Sequence, residues 1–530
     1  MSKTEPELRS LLAAGRPIDV LHNLDAGSGP KDVFLRTLLI FDAHWDSGDA
    51  AQAIAALRQL RELRPVDVRT AERSARVFEL TGSGEWDPRN LLPLLGASSD
   101  HQETNRIAGL LMALNQRGAC EEFLRSSQDI APLSPQNALR LARIAYINGD
   151  FDESAALARP LIATAMEPGA ERHLRMVAFA RGDFAQVLKS KAPPRTDFDH
   201  LRFNALLATD QIASAFAMLP FPGQLALLEA DFPEKAAPVA RKSAGRIGVI
   251  SESGPGDQLV GATLLGKVAV LAESVAMTVD ARLISLLSRS YPSVQFVESA
   301  PIQGAPFGSF RPGHQRLAGG MGRLLTDAAG QFLRDQCDQV VLARSLMSLV
   351  DPPTHQPANA PLIPLSELVE QVRPIAAGKI GICWRSELRT PWRSVHYFEV
   401  GDLAPLQKLD GCFVCLQHDV TTEERAELTQ LFGDRIEFIS KIALRDDFEG
   451  TAALLSQLDA VVGPGTTMTV LSAAVGTTTY VAHPTQFGAW LAKRKCGFWF
   501  THRHHIMVTP PAGSKYELLS QVAEVLRSKP

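Results

Sequence analysis

Two hydrophobic periods divide the chain. From about residue 10 to residue 230, apolar positions recur at helical spacing, and the pattern breaks at near-regular intervals where a Gly is followed by a polar or small residue. These breaks are Gly15-Arg16, Gly48-Asp49, Gly82-Ser83, Gly118-Ala119, Gly149-Asp150 and Gly182-Asp183, at intervals of 33, 34, 36, 31 and 33 residues. A seventh copy has Asp210 where the Gly would stand. The expected unit is a pair of helices: Gly supplies the left-handed residue that ends the first, and the following Asp caps the second. In the clearest copies an aromatic follows the Asp, Phe151 and Phe184, and is expected to wedge the second helix in place.

Beyond a break over residues 232–245 the period changes. Short apolar runs alternate with helical stretches, the pattern of parallel α/β layers. Expected strands are Arg246–Ile250, Met277–Val279, Val294–Val297, a run opening at Lys379, Phe413–Gln417, Ile436–Ile439, Ala460–Val462 and Thr479–Val481. A helix is expected from Leu259 to about Ser274. The Pro-rich run 351–364 divides this half and reads as a crossing between two α/β domains. The expected organisation is a helical repeat region over 1–235, a first α/β domain over 245–365 and a second over 375–530. A chain of 530 residues is too long for one core, which agrees.

Composition removes several function classes. A net charge of -4 argues against a nucleic-acid surface as the main purpose. Six cysteines do not make a disulfide framework, and they suit a reducing compartment. Cys412 and Cys415 sit three apart in a strand-like run, so they should face opposite sides and not share a metal. The first residues lack a signal-peptide pattern and no apolar run is long enough to span a membrane, so a cytoplasmic protein is expected.

The candidate chemistry lies at strand ends. In Val461-Val462-Gly463-Pro464-Gly465-Thr466-Thr467-Met468-Thr469, a strand gives way to a small-residue turn that opens a helix. Helix N-termini carry partial positive charge and free N–H groups, so this turn suits a phosphate, with Thr466, Thr467 and Thr469 as donors. Threonines capping a core helix would look the same. After the first strand, Gly254-Pro255-Gly256-Asp257 opens a helix at a second strand end, where Asp257 serves either as a base or as a helix cap. No paired carboxylates stand at a strand end as metal ligands would. His502-Arg503-His504-His505 lacks ligand partners at useful spacing and reads as a solvated loop or a sugar contact rather than a metal site.

Several of these segments together resemble a known family. Trp384-Arg385-Ser386, then Phe413-Val414-Cys415-Leu416-Gln417-His418, then the Gly465-Thr466-Thr467 helix start are similar in order and spacing to GT-B glycosyltransferases related to lipopolysaccharide heptosyltransferases. They also resemble O-GlcNAc-transferase-like enzymes that carry tetratricopeptide (TPR) repeats. Gly256-Asp257-Gln258-Leu259 resembles the Gly-Asp-x-Leu loop of the heptosyltransferases. The overall pattern, from about residue 10 to the end, resembles the TPR-containing flagellin glycosyltransferases of the FlmG type.

The resemblance implies an all-α TPR-like superhelical array followed by an α/β GT-B fold of two Rossmann-like domains facing a cleft. It implies a metal-independent cytoplasmic enzyme without a resident cofactor. That enzyme would transfer a sialic-acid-like nonulosonic acid, pseudaminic or legionaminic, from a CMP-sugar to Ser or Thr of flagellin held by the repeats. Asp257 would be the general base. Arg385 and Ser386 would face the donor phosphate with Gly465, Thr466, Thr467 and Thr469, and Gln417 and His418 would touch nucleotide or sugar. Two other readings remain open: a heptosyltransferase-like enzyme of surface-glycan assembly, and a non-catalytic TPR scaffold with a decayed transferase domain.

Overall fold

The computed structural model describes the chain apart from residues 1–2, 65–66, 82–99, 114–115, 191–198, 220–221, 239–243, 252–253, 300–324, 351–361, 387–393, 493–498, 501–503, 510–512 and 529–530. Among the described residues, one compact unit comprises 1–145 and 156–166, and a second comprises the rest.

The first unit is built of helices. Val33–Ser47 ends at Gly48, which takes φ 86°, and Asp49 then caps Ala50–Leu63 by accepting from the Gln52 amide at 3.1 Å. Phe34, Leu38, Phe41, Leu57 and Leu60 of this pair form one buried cluster. Gly15 has the same left-handed turn at φ 72°. Gly118 departs from the expectation: it lies inside the helix Arg117–Ile130 and ends nothing. The Gly82-Ser83 break falls outside the described residues.

The second unit opens with more helix pairs. Gly149 and Gly182 are left-handed, and Asp150 and Asp183 accept from the Glu153 and Gln186 amides at 2.9 and 3.0 Å. Phe151 packs on Tyr146 and Phe184 on Phe179, with ring centroids 5.5 and 5.3 Å apart. Asp210 takes φ 60°, the one non-glycine among the described residues with positive φ. The weakest copy in the sequence therefore makes the same turn.

The α/β part carries two sheets whose pairings are all parallel. The first contains β1 (Ala244–Ile250), β2 (Ala272–Val279), β3 (Val294–Glu298) and β4 (Gln339–Leu342), in the order β3-β2-β1-β4. The second contains β5 (Lys379–Ile382), β6 (Cys412–Cys415), β7 (Ile436–Phe438), β8 (Ala460–Gly463), β9 (Thr479–His483) and β10 (His504–Val508), in the order β10-β9-β8-β5-β6-β7. Read from β7, that is the 3-2-1-4-5-6 order of a doubly wound nucleotide-binding sheet.

Three expectations are corrected here. The helix expected over Leu259–Ser274 is two short helices, Pro255–Ala262 and Leu265–Ala269, and the next residues begin β2. The strand β4 has no counterpart among the expected strands. His504 and His505, expected in a loop, lie on β10, where all five residues of His-His-Ile-Met-Val pair with β9. His502 and Arg503 fall outside the described residues, as does most of the Pro-rich run. Cys412 is exposed and Cys415 buried, on opposite faces of β6. Among the described residues no helix is long and apolar enough to cross a membrane.

Candidate active site

Ligands of parallel sheets sit at the carboxyl ends of the strands, in the crevice where strand order reverses. In the larger sheet that crevice opens between β5 and β8. β5 delivers Trp384, Arg385 and Ser386 to it, and β8 delivers the Pro464–Thr466 turn and the helix Thr467–Ala474. In the smaller sheet the crevice opens between β1 and β4. β1 delivers Ser251 and the helix Pro255–Ala262, and β4 delivers Arg344.

These two sets of loops meet. A Cβ placed on Gly256 would stand 3.3 Å from both the Cα and the Oγ1 of Thr467, so only a glycine allows this approach without displacement. Asp257 is the next residue. It lies in the first turn of Pro255–Ala262, whose N-cap is Gly254, so Asp257 is not the cap. Its carboxylate is 67% exposed, with Arg344 3.8 Å away. Beside it opens a cavity of about 190 Å³, walled by Ser251, Asp257, Arg344, His200, Phe203 and Asn204 among others.

The phosphate turn is organised around Thr469. Its hydroxyl is buried, accepts from the Thr466 amide at 3.1 Å, and lies 2.9 and 3.0 Å from the carbonyl oxygens of Pro464 and Thr466. Thr469 therefore shapes the turn and has no hydroxyl proton left for a ligand, against the expectation. Thr466 and Thr467 are partly exposed at the helix start, where Thr466 is the N-cap residue. Gly465 is exposed at the turn, where a Cβ would come within 2.7 Å of the His483 ring. His483, at the end of β9, was not among the expected site residues, because a single His closing an apolar strand carries no distinguishing pattern. Burial pushes its imidazole down to about 4, so the ring beside the turn is neutral at pH 7.

Arg385 is placed at the crevice but turned away from it. Its Nε and one terminal nitrogen form a fork onto Glu424 at 2.7 and 2.6 Å, and the guanidinium also donates to the Asp419 carboxylate at 2.6 Å and the Asp419 carbonyl at 2.8 Å. Four N–H groups are thus committed to Glu424 and Asp419, where the sequence leads one to expect a cation facing a phosphate. Burial works against the charge of both carboxylates, yet their hydrogen bonds to Arg385 hold Asp419 and Glu424 below the usual range. Gln417 is also committed: its Oε1 accepts from the Trp384 and Arg385 amides at 3.4 and 3.2 Å, and its Nε2 donates to Asp419 at 2.6 Å. It ties the β6 loop to the β5 loop and is not offered to a ligand. His418 lies exposed, 3.9 Å from Asp419, and Ser386 is half-buried after Arg385. Among the described residues, no group of three or more His, Cys, Asp or Glu side chains is placed to hold a metal.

No protein-family model matches the chain. No curated protein matches it either. Solved structures do. The glycosyl transferase family 9 protein of Veillonella parvula is 10% identical, with 54% of this chain and 92% of that chain covered and a TM-score of 0.35. The heptosyltransferase WaaC of E. coli, solved with ADP-2-deoxy-2-fluoro heptose, is 11% identical over 54% and 100% of the two chains, with a TM-score of 0.34. The O-GlcNAc transferase of Thermobaculum terrenum is 12% identical over 94% and 90%, with a TM-score of 0.34.

Proposed function

We propose that this chain is a glycosyltransferase of the GT-B type that uses a nucleotide sugar and modifies a protein. The observation that carries the reading is the meeting of two strand-order crevices at Gly256 and Thr467. It puts a phosphate-suited helix start next to a solvent-open carboxylate, the two groups that sugar transfer needs.

In this mechanism the donor's phosphate sits at the Gly465–Thr467 turn, where first-turn amides and the helix dipole take up the negative charge that grows as the nucleotide departs. The acceptor hydroxyl approaches from the side of Asp257. As its oxygen forms the bond to the anomeric carbon, Asp257 takes the proton and the bond to the nucleotide phosphate breaks. With Arg385, Gln417 and Thr469 occupied, they act as positioning residues for the loops around the donor. No resident cofactor or metal is called for in these steps.

The finer reading is a CMP-linked nonulosonic acid as donor and flagellin Ser or Thr as acceptor, gripped by the helix pairs of residues 1–235. The repeats favour a protein acceptor, since stacked helix pairs suit a polypeptide better than a small molecule. A heptosyltransferase-like role in surface-glycan assembly is the second reading.

Thermal-shift titration of the full chain with CMP, UDP, GDP and ADP separates these readings. Mass spectrometry of a purified flagellin incubated with the matching nucleotide sugar completes the test. CMP stabilisation with a mass gain on Ser or Thr is the expected result. Preference for ADP without protein modification would move the reading to glycan assembly, and indifference to every nucleotide would leave a scaffold.

Asp257→Asn tests the base. The residue is exposed and Gly254 holds the cap position, so the variant should lose under about 1 kcal/mol, the helix-dipole contribution. Turnover should fall by roughly two orders of magnitude, the usual scale for removing a general base. Near-normal turnover would send the search for a base elsewhere in the cleft.

A further inference from the structure

A histidine walls the phosphate turn. β9 runs beside β8 with Val461 opposite Thr479 and Gly463 opposite Val481, and the same register carried two residues further sets His483 beside Gly465. The imidazole fills the place that a side chain on Gly465 would take. From the position of a Cβ on Gly465, the ring atoms Cε1, Nε2 and Nδ1 lie at 2.7, 3.4 and 3.6 Å. The edge that bears both nitrogens therefore faces the turn. The opposite edge, Cγ and Cδ2, packs on Gly488. Behind the ring, the Thr509 amide donates to the His483 carbonyl at 3.0 Å and fixes the end of the strand.

The residue is half-buried, and neither ring nitrogen is hydrogen-bonded to, or sealed off by, the described residues. A neutral imidazole has one N–H to donate and one lone pair to accept with. Burial is what keeps this ring neutral at pH 7. The segments packed on it, Gly463–Thr467 and Thr485–Gly488, contain no ionisable side chain. The titratable groups on neighbouring elements are His504 and His505 of β10, and His396, whose Nδ1 lies 2.8 Å from Thr485 Oγ1. Arg385, at the same crevice, is committed to Asp419 and Glu424.

We propose that His483 is a donor-binding residue, whose imidazole N–H bonds an oxygen of the anionic group seated at the Gly465–Thr467 turn, the phosphate of the nucleotide donor. An anion this close favours the protonated ring, so binding draws a proton onto His483 and converts a neutral contact into a charge-assisted one. The imidazolium then adds a positive charge to the first-turn amides and the helix dipole. The free ring titrates at about 4 and the ring in the complex at a higher value. Between those two values the complex holds more protons than the free protein, so affinity rises as the pH falls, by at most about tenfold per pH unit. The inference rests on the transferase reading only for which molecule carries the phosphate.

The full chain is titrated with sulfate and with CMP, UDP, GDP and ADP by calorimetry, from about pH 8 down to about pH 5.5. Sulfate keeps its charge over this range, which separates the ring's titration from that of a nucleotide phosphate. In parallel the His483 Cε1–H resonance, assigned with His483→Gln, is followed by NMR in protein labelled at histidine. At least one probe should move that resonance saturably and raise its midpoint, and that probe should bind several-fold more tightly to the parent at pH 6 than the Gln variant's profile predicts. His483→Gln keeps an N–H donor without a titrating group, so it should bind nearly as the parent does at pH 8 and lose the extra pH dependence. His483→Leu should bind about tenfold more weakly at pH 6, the scale of one charge-assisted hydrogen bond. Equal pH profiles in the parent and the Gln variant overturn the proposal, as does a probe that binds and leaves the ring unmoved. Absence of binding by every probe overturns it together with the phosphate reading of the turn. Sugar transfer that continues at the parental rate in His483→Leu, with the ring unmoved in the parent, sinks the role of His483 and leaves the transferase. Binding linked to His483 with no transfer from any nucleotide sugar sinks the transferase and leaves the contact.

Discussion

Arg385 brings a positive charge to a position that is 6% exposed and meets two carboxylates there. Its fork onto Glu424 is bidentate, and the Trp384 indole also donates to the same carboxylate at 3.2 Å. Removing the cation strands two negative charges that are only 15% and 29% exposed. Breaking a fully buried pair costs 3–5 kcal/mol, and partial solvation of the acids lowers that, so Arg385→Met should cost about 2–4 kcal/mol in urea unfolding at pH 7. Asp419 and Glu424 have depressed folded pKa values, so their contribution is present above the ordinary carboxylate range and lost as the pH falls through it. Arg385→Met should therefore show a shallower acid limb than the parent. Equal stability at pH 7 would mean the network contributes nothing. The sequence locates Arg385 at a strand end, but its partners lie 34 and 39 residues away, and nothing in the local text aims them at it. One sign was readable: Thr421-Thr422-Glu423-Glu424 is a capping box, which fixes Glu424 at a helix start.

At the scale of single elements, the turn of each helix pair was the most legible feature, because a left-handed residue must recur wherever the chain reverses. Asp210 makes the point without a glycine. Asp tolerates positive φ better than most residues, and a β-branched residue there is a severe outlier. Asp210→Gly should keep the melting temperature within a degree or two, whereas Asp210→Val should lose about 1–2 kcal/mol, read as a drop in melting temperature. An unchanged Val variant would show that the turn relaxes to negative φ. Gly118 misled because spacing alone cannot tell a turn glycine from one in a first helical turn. β10 was hidden for a different reason: its two leading histidines mask an apolar run. His504 is 7% exposed with neither ring nitrogen hydrogen-bonded among the described residues, and burial, then the neighbouring His483 and His505, push it down to about 4. An unfolded His titrates near 6.5, so between pH 6.5 and 4 the unfolded chain binds more protons and stability falls as the solution is acidified. His504→Phe removes that term, worth about 2 kcal/mol at pH 5. The variant should lose less stability than the parent between pH 7.5 and 5; identical losses would clear His504 of the effect.

For the molecule as a whole, strand order rather than any motif brings the candidate groups together. Parallel runs were visible as apolar stretches, but which strand pairs with which is decided by contacts far apart in sequence, so the crevices at β1/β4 and β5/β8 were not readable. The same holds for the core. Leu206, Leu207, Ile212 and Phe216, all N-terminal to residue 235, belong to one buried cluster with Val249 and Val275 of the first sheet, Val461 of the second, and Leu259 and Leu471 of the helices that follow β1 and β8. The change of hydrophobic period near 232–245 marks a change of secondary structure, and the core runs across it. A chain cut to begin at residue 240 would lose those side chains, and each large apolar residue removed from a core costs about 2–5 kcal/mol. The loss exceeds what a marginally stable domain can absorb. Such a chain should show no cooperative melting transition. A chain beginning at residue 146, where the second compact unit starts, keeps the cluster and should melt cooperatively and still be stabilised by the nucleotide that stabilises the full chain. Its modification of a protein acceptor should be lost or greatly slowed, because the first helix pairs are gone. Full activity of the 146–530 chain on the protein acceptor would remove those pairs from acceptor binding, and cooperative melting of the 240–530 chain would show that the helices before residue 235 are not part of the core that holds the site.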